Sequence, residues 1–157
     1  LHIVGIETKM FDRFTDHVLK VMQFANQEAF RLNKKQVDTE HILLGLLKEG
    51  SGVGIAVLKN LIDIKNLRIL ITTNSVVITN LRMPVSPAVK KVIEYAIEEA
   101  RSLDDYNVGT QHLLLGLLRQ ADGVAASALA DAGLKYEQVR REVLKFSGIK
   151  PIDPDEI

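Results

Sequence analysis

Two histidines, His41 and His112, lie 71 positions apart in nearly the same setting. Thr39-Glu40-His41 runs into Ile42-Leu43-Leu44-Gly45-Leu46, and Thr110-Gln111-His112 runs into Leu113-Leu114-Leu115-Gly116-Leu117. Imidazole beside a carboxylate is raw material for metal ligation and for acid–base catalysis. The spacing does not fit zinc chemistry, because Glu40-His41 is not the His-Glu-x-x-His pattern and neither segment supplies a second ligand. Both histidines read better as structural, hydrogen-bonded groups near the packing between the two segments. A small metal-dependent hydrolase using His41, His112 and Glu40 is the enzyme alternative; stoichiometric zinc in the purified protein would support it.

Other catalytic constellations are missing from the sequence. No cysteine is present, which removes disulfides, thiolate nucleophiles and zinc-thiolate sites together and suits a reducing compartment, so we expect a cytoplasmic protein. No Gly-x-x-x-x-Gly-Lys-Ser/Thr loop occurs, so these residues have no phosphate cradle of that kind. The expectation is a chain with no catalytic residues, metal or cofactor of its own. Twenty basic residues balance twenty acidic ones, so no global field draws the chain to nucleic acid or anionic lipid. Apolar runs such as 42–47 fall far short of the roughly 20 residues of a membrane-spanning helix, and the first nine residues lack a signal-peptide pattern. We therefore expect neither nucleic acid nor membrane as a partner.

The histidine segments belong to a longer internal repeat. Laid on itself at an offset of 71, the chain aligns without a gap from Thr15/Ser86 to Leu58/Leu129. Identical pairs include Val18/Val89, Val21/Val92, Ala25/Ala96, Glu28/Glu99, Val37/Val108, Thr39/Thr110, Gly45/Gly116 and Gly52/Gly123, at an identity of about 40%. A duplicated unit is the simplest reading.

Helix punctuation recurs in each unit. Ser86 and Pro87 suit the N-cap and first turn of a helix whose inner face carries Val89, Val92, Ile93, Ala96 and Ala100, and Thr15 opens its counterpart. Thr39 and Thr110 are expected to cap short apolar helices, 41–47 and 112–118, central to the bundle, with Gly45 and Gly116 admitting a close neighbour. Third helices follow Gly52 and Gly123, and Gly133 stops the second of them. A fourth helix over 136–146 should bury Val139, Val143 and Phe146. Its first-unit counterpart, from Lys65 to about Ile71, meets the β-branched run 72–79 and should be short, followed by an extended linker with a possible turn at Asn74-Ser75. Lys90-Lys91 and Glu98-Glu99 read as a solvated helical face.

The expected fold is all-α: two pseudo-symmetric four-helix repeats packed as one bundle. Repeat one covers about 10–72, a linker about 73–85 and repeat two about 86–148, flanked by an extension, 1–9, and a Pro-containing tail, 149–157.

These residues resemble the Clp N-terminal repeat of the AAA+ unfoldases, in particular the ClpC branch. The likeness rests on 10–15 (MFDRFT), on the doubled Thr-Glu/Gln-His-apolar motif at its 71-residue spacing, and on 90–94 (KKVIE) with 98–101 (EEAR); it covers about 10–148 and fails over 67–83. The resemblance implies a domain that receives adaptor proteins or tagged substrates and passes them to an AAA+ ring and a ClpP-like protease. A stand-alone regulator competing for adaptors is an alternative. The resemblance also implies phosphoarginine reading, with Glu40 holding the guanidinium and Thr15 offering its hydroxyl and helix N-terminus to the phosphate. Ser86 and Gln111 would form a second, weaker site, because a neutral amide cannot neutralise a cation.

Overall fold

The computed structural model describes residues 12–67 and 81–148. Seven α-helices follow in order: α1 Asp16–Arg31, α2 Thr39–Glu49, α3 Val53–Leu61, α4 Pro87–Ser102, α5 Thr110–Arg119, α6 Val124–Asp131 and α7 Tyr136–Phe146. A 3-10 turn, Ile64–Asn66, follows α3. Among the described residues the only β pairing is two isolated bridges, so the chain is all-α.

The longer helices begin where the sequence supplies an oxygen for an orphan amide. Thr15 accepts from the Val18 amide and Ser86 from the Val89 amide, and both have extended backbone as an N-cap requires. Each helix then turns its apolar stripe inward: Val18, Val21, Met22, Ala25 and Ala29 from α1, and Val89, Val92, Ile93, Ala96 and Ala100 from α4.

α1 packs along α2 and α4 along α5. The glycines set that approach. A Cβ on Gly45 would lie 2.5 Å from the Val21 carbonyl oxygen, and one on Gly116 would meet the Val92 carbonyl as closely. α2 and α5 are sheathed on nearly all sides, which is why 42–46 and 113–117 can be almost wholly apolar.

Four local expectations are corrected. Thr39 and Thr110 are the first residues of α2 and α5; the caps are Asp38 and Gly109. Phe146 ends α7 46% exposed, while Val139 and Val143 are buried as expected. Glu99 does not belong to the solvated face with Glu98: it is only 3% exposed, because it falls on the helical stripe continued by Ala96 and Ala100. Lys90, Lys91 and Glu98 are exposed. In place of a fourth helix in the first repeat, the described residues hold the short 3-10 turn; the remainder of the expected 65–71 helix, most of the linker with its turn at 74–75, and both termini lie outside the described residues.

The two motif threonines work across the repeats. α3 and α6 start at Gly52 and Gly123, which have no side chain with which to cap. Thr110 Oγ1 accepts from the Gly54 amide at 2.8 Å, and Thr39 Oγ1 accepts from the Ala125 amide at 3.3 Å. Each threonine therefore caps the third helix of the opposite repeat. The glycines leave room for it, since a Cβ on Gly123 would sit 2.7 Å from Thr39 Oγ1 and one on Gly52 would strike Thr110 Oγ1.

Candidate functional site

The start of each first helix is strapped to the opposite repeat. Phe14 bridges Val108 in parallel, with Thr15 N–H donating to Val108 O at 3.0 Å and Val108 N–H to Arg13 O at 2.7 Å. Val37 bridges Val85, with Ser86 N–H donating to Val37 O at 2.8 Å. The straps re-pair the candidate residues. Thr15 lines a cleft with Gln111, and Glu40 is not among the residues lining it. Ser86 Oγ donates to Asp38 Oδ1 at 3.0 Å, two residues before Glu40. The family resemblance paired Thr15 with Glu40 within one repeat; in space the helix start of one repeat faces the motif of the other.

The Thr15 cleft has a volume of about 260 Å³ and is lined by Thr15, His17 and Val53, by Asp105, Tyr106 and Asn107, and by Gly109, Thr110 and Gln111. Thr15 Oγ1 accepts from Val18 N–H at 3.3 Å, at the edge of the cleft that Thr15 lines. On the other side Ser86 is buried, and its hydroxyl bonds to both Val89 N–H and Asp38.

Both motif histidines reach back to the N-cap amide of their own helix, completing a capping box at Asp38 and half of one at Gly109. His41 Nδ1 accepts from Asp38 N–H at 2.8 Å and His112 Nδ1 from Gly109 N–H at 2.9 Å, which puts the proton of each neutral ring on Nε2. His112 Nε2–H donates to Asp105 Oδ2 at 2.9 Å. Lys34 stands at the equivalent position of the first repeat, and there His41 Nε2 is buried without a hydrogen-bond partner. The Glu40 side chain is 14% exposed, with its Oε2 likewise buried and unpartnered; its Oε1 lies 3.9 Å from His41 Nε2. Burial raises the Glu40 pKa, Asp38 adds to the rise, and Lys34 opposes it. Among the described residues no three potential ligands gather as a metal site.

Burial lowers the pKa of both histidines, most of all by desolvating the imidazolium, while Asp38 near His41 and Asp105 near His112 oppose it. Protonating Nδ1 also removes the acceptor that the capping box needs. A folded-state pKa below the usual 6.5 means that the unfolded chain takes up protons first on acidification. The histidines' contribution to stability is thus complete above pH 6.5 and is lost as the pH falls below it, by about 1.4 kcal/mol per histidine for each pH unit in that window. Thermal melts should show a falling midpoint between pH 7 and 5; a flat profile would contradict the buried neutral rings.

Two clusters escaped the sequence reading. His17 Nδ1 bonds Glu49 Oε1 at 2.6 Å and lies 3.2 Å from Ser51 Oγ, which donates to the same carboxylate. Burial works to raise the Glu49 pKa, but the Ser51 and His17 bonds prevail and hold it at about 2. Serine and acid share one ring nitrogen, so this is not the relay in which base and orienter occupy opposite nitrogens. The residues lie 32 positions apart and no local pattern joins them. The second cluster surrounds the buried acids. Glu99 accepts from Tyr136 Oη, with Arg119 at 3.5 Å and Arg140 at 3.9 Å, and Glu28 pairs with Arg31 at 2.7 Å and with Lys48. The identical pair Glu28/Glu99, on an otherwise apolar stripe, was the signal that could have revealed it.

Comparison with known proteins adds three findings. Residues 13–77 and 84–156 match the model of the Clp repeat (R) N-terminal domain. A Brassica napus protein described as the ATP-dependent Clp protease ATP-binding subunit ClpA homolog, chloroplastic, is 40% identical over 149 residues, covering 92% of this chain and 17% of that protein. The chloroplastic chaperone protein ClpC1 of Arabidopsis thaliana is 41% identical over 144 residues, covering 88% of this chain and 15% of that protein. The chain thus spans about one sixth of these relatives. Among solved structures, the N-terminal domain of the chaperone ClpD from Arabidopsis thaliana superposes with a TM-score of 0.62 at 26% identity, covering 92% of this chain and 99% of that one. A ClpV N-domain in complex with a VipB peptide superposes at 0.70 with 15% identity, a likeness of fold, covering 96% and 97%.

Proposed function

The chain belongs to the Clp repeat N-terminal domain family, and from that premise we propose that it is a receiving domain. It would take adaptor proteins or tagged substrates and present them to an AAA+ unfoldase ring working with a ClpP-like protease, without catalysing a reaction itself. Relatives in which such a domain forms about one sixth of the length support the placement in front of a motor, and the ClpV N-domain solved with a peptide supports binding of extended segments. The proposal puts the domain in the cytoplasm, where a chain without cysteine is at ease; the plant relatives named above are chloroplastic. No single helix among the described residues is long and apolar enough to cross a membrane.

We further infer phosphoarginine as a ligand, carried by one observation: Glu40 keeps a buried carboxylate oxygen with no partner. Such a group is costly to leave unmade and gains most from a guanidinium, which meets a carboxylate through two parallel hydrogen bonds. Lys34 lies close enough to lower the Glu40 pKa and, with exposed Lys35, supplies positive charge for the phosphate. In NMR titrations, free phosphoarginine should move the signals of 34–41 and 86–89. Glu40→Gln should weaken that binding by about tenfold or more with an unchanged fold. Equal affinity in the variant would remove Glu40 from the site.

A further inference from the structure

The two straps that hold the repeats together have the same backbone and opposite charge. In each, the first helix of a repeat is followed by a left-handed residue, Asn33 at φ 56° or Asp104 at φ 58°. The next residue donates back into that helix, Lys34 N–H to Ala29 O at 2.9 Å and Asp105 N–H to Ala100 O at 2.8 Å. Each loop then ends in the bridged valine, Val37 or Val108, against the helix start of the other repeat. On this common frame, residues 71 positions apart differ in charge. Lys34 stands where the second repeat has Asp105, Lys35 where it has Tyr106, and Lys90 of α4 where α1 has Leu19. Asp16 of α1 stands where α4 has Pro87, and Asp104 where the first loop has Asn33. Lys20 and Lys91 are equivalent and leave the difference unchanged.

We propose that the chain binds further copies of itself head to tail, the basic strap of one copy lying on the acidic strap of the next. The charges for this contact are not engaged within the chain. Lys34, Lys35, Arg82 and Lys90 around the one strap, and Asp12, Asp16 and Asp104 around the other, are exposed and enter no ion pair among the described residues. Opposite charges close to each strap are taken up: Asp38 accepts from Thr39 N–H and Ser86 Oγ, Glu94 pairs with Lys91, and Arg13 is held by the Tyr106 carbonyl. Exposed apolar side chains flank the charges on both sides. Val53 and Tyr106 border the acidic strap, and Val124 opens the helix that Thr39 caps beside the basic one.

Charge decides how the copies meet. Pairing identical faces, as in a two-fold dimer, sets like charges against each other, whereas basic on acidic sets each charge against its opposite. The contact is therefore heterologous, and it leaves a free strap at each end, so association continues past the dimer until the series closes into a ring. A net charge of zero removes the general repulsion that would oppose it. Because Thr15 and Ser86 cap the helices that start at these straps, the contact covers a candidate site on each copy it joins.

The test needs no ligand, so it stands or falls apart from the phosphoarginine reading. Sedimentation equilibrium of the full chain is measured up to millimolar concentration at about 0.01 M and about 1 M salt, where the Debye length is about 30 Å and about 3 Å. In low salt the mean mass should rise with concentration past twice 17.5 kDa, and in high salt it should return to 17.5 kDa. Arg82→Glu with Lys90→Glu disables the basic strap and keeps the acidic one; Asp12→Lys with Asp16→Lys does the reverse. Each double variant alone should associate at least about tenfold more weakly than the parent. An equimolar mixture should form one-to-one pairs and stop there, since each partner has one working strap. All four substitutions are at exposed positions, and circular dichroism should show parental helicity; the salt dependence of the parent serves if a variant does not fold. A parent that stays at 17.5 kDa in low salt, mass growth that survives high salt, or a mixture no more associated than its components overturns the proposal.

Discussion

Gly116→Ala destabilises the protein by about 2 kcal/mol or more, and Gly116→Leu prevents folding at ordinary temperature. Alanine in place of glycine inside a helix normally stabilises by about 1 kcal/mol, so the sign is the test. The reason for reversal is backbone. A Cβ at 116 meets the Val92 carbonyl oxygen and stands 3.2 Å from the Ala96 nitrogen, groups fixed within α4 that have no rotamer by which to withdraw. α5 must move away from α4, opening contacts along the interface, and over-packing of this kind costs about 1–3 kcal/mol or more. Gly45→Ala should behave alike, through Val21 and Ala25. Chemical denaturation of both variants decides it; a stabilised Gly116→Ala would refute the close helix approach.

Glu99→Ala is expected to cost about 2–4 kcal/mol, far more than the ~0.5 kcal/mol of an exposed acid such as Glu98. The wild-type carboxylate is nearly buried and receives Tyr136, Arg119 and Arg140, which come from two other helices of the second repeat, α5 and α7. Its removal leaves the Tyr136 hydroxyl without its acceptor and takes a carboxylate from Arg140 and from Arg119, the latter keeping Glu98 at 2.8 Å. Burial and Glu99 together push the Tyr136 pKa up to about 12, so absorbance titration gives a second readout: in Glu99→Ala the phenol should ionise at lower pH. If Glu98→Ala and Glu99→Ala lost equal stability, the buried cluster would not hold α4 to α5 and α7.

The limits of sequence reading fall along a physical line. Helix faces, stops and the duplication were legible because each depends on residues three, four or 71 positions apart, periods that a single chain displays. Gly133 as the stop after α6 and the span of α7 were read correctly on that basis. What crosses between repeats was not legible. Nothing local says that Thr15 faces Gln111, because that proximity is made by a two-residue bridge between Phe14 and Val108. Glu99 was read as solvated from its charge, although its place on the stripe with Ala96 and Ala100 pointed inward. Asp105 was not read as a cleft residue for a similar reason, since it reaches the cleft from a loop and its carboxylate accepts from His112. The motif histidines were read as hydrogen-bonded groups, and each accepts from an N-cap amide, while the unpartnered Nε2 of His41 became visible only beside its bonded twin.

Because Thr39 and Thr110 each finish a helix of the opposite half, neither half is a complete folding unit. A lone repeat has a glycine-started helix with no cap and a threonine hydroxyl with nothing to cap, and a second copy of itself supplies both. The architecture is that of a symmetric dimer whose subunits became joined end to end, turning a concentration-dependent association into a permanent one. Once joined, the halves were free to drift wherever drift left that exchange intact. The lysine pair of one loop and the aspartate of the other mark where they parted, while the two threonines, each needed by its neighbour, are still the same residue in both.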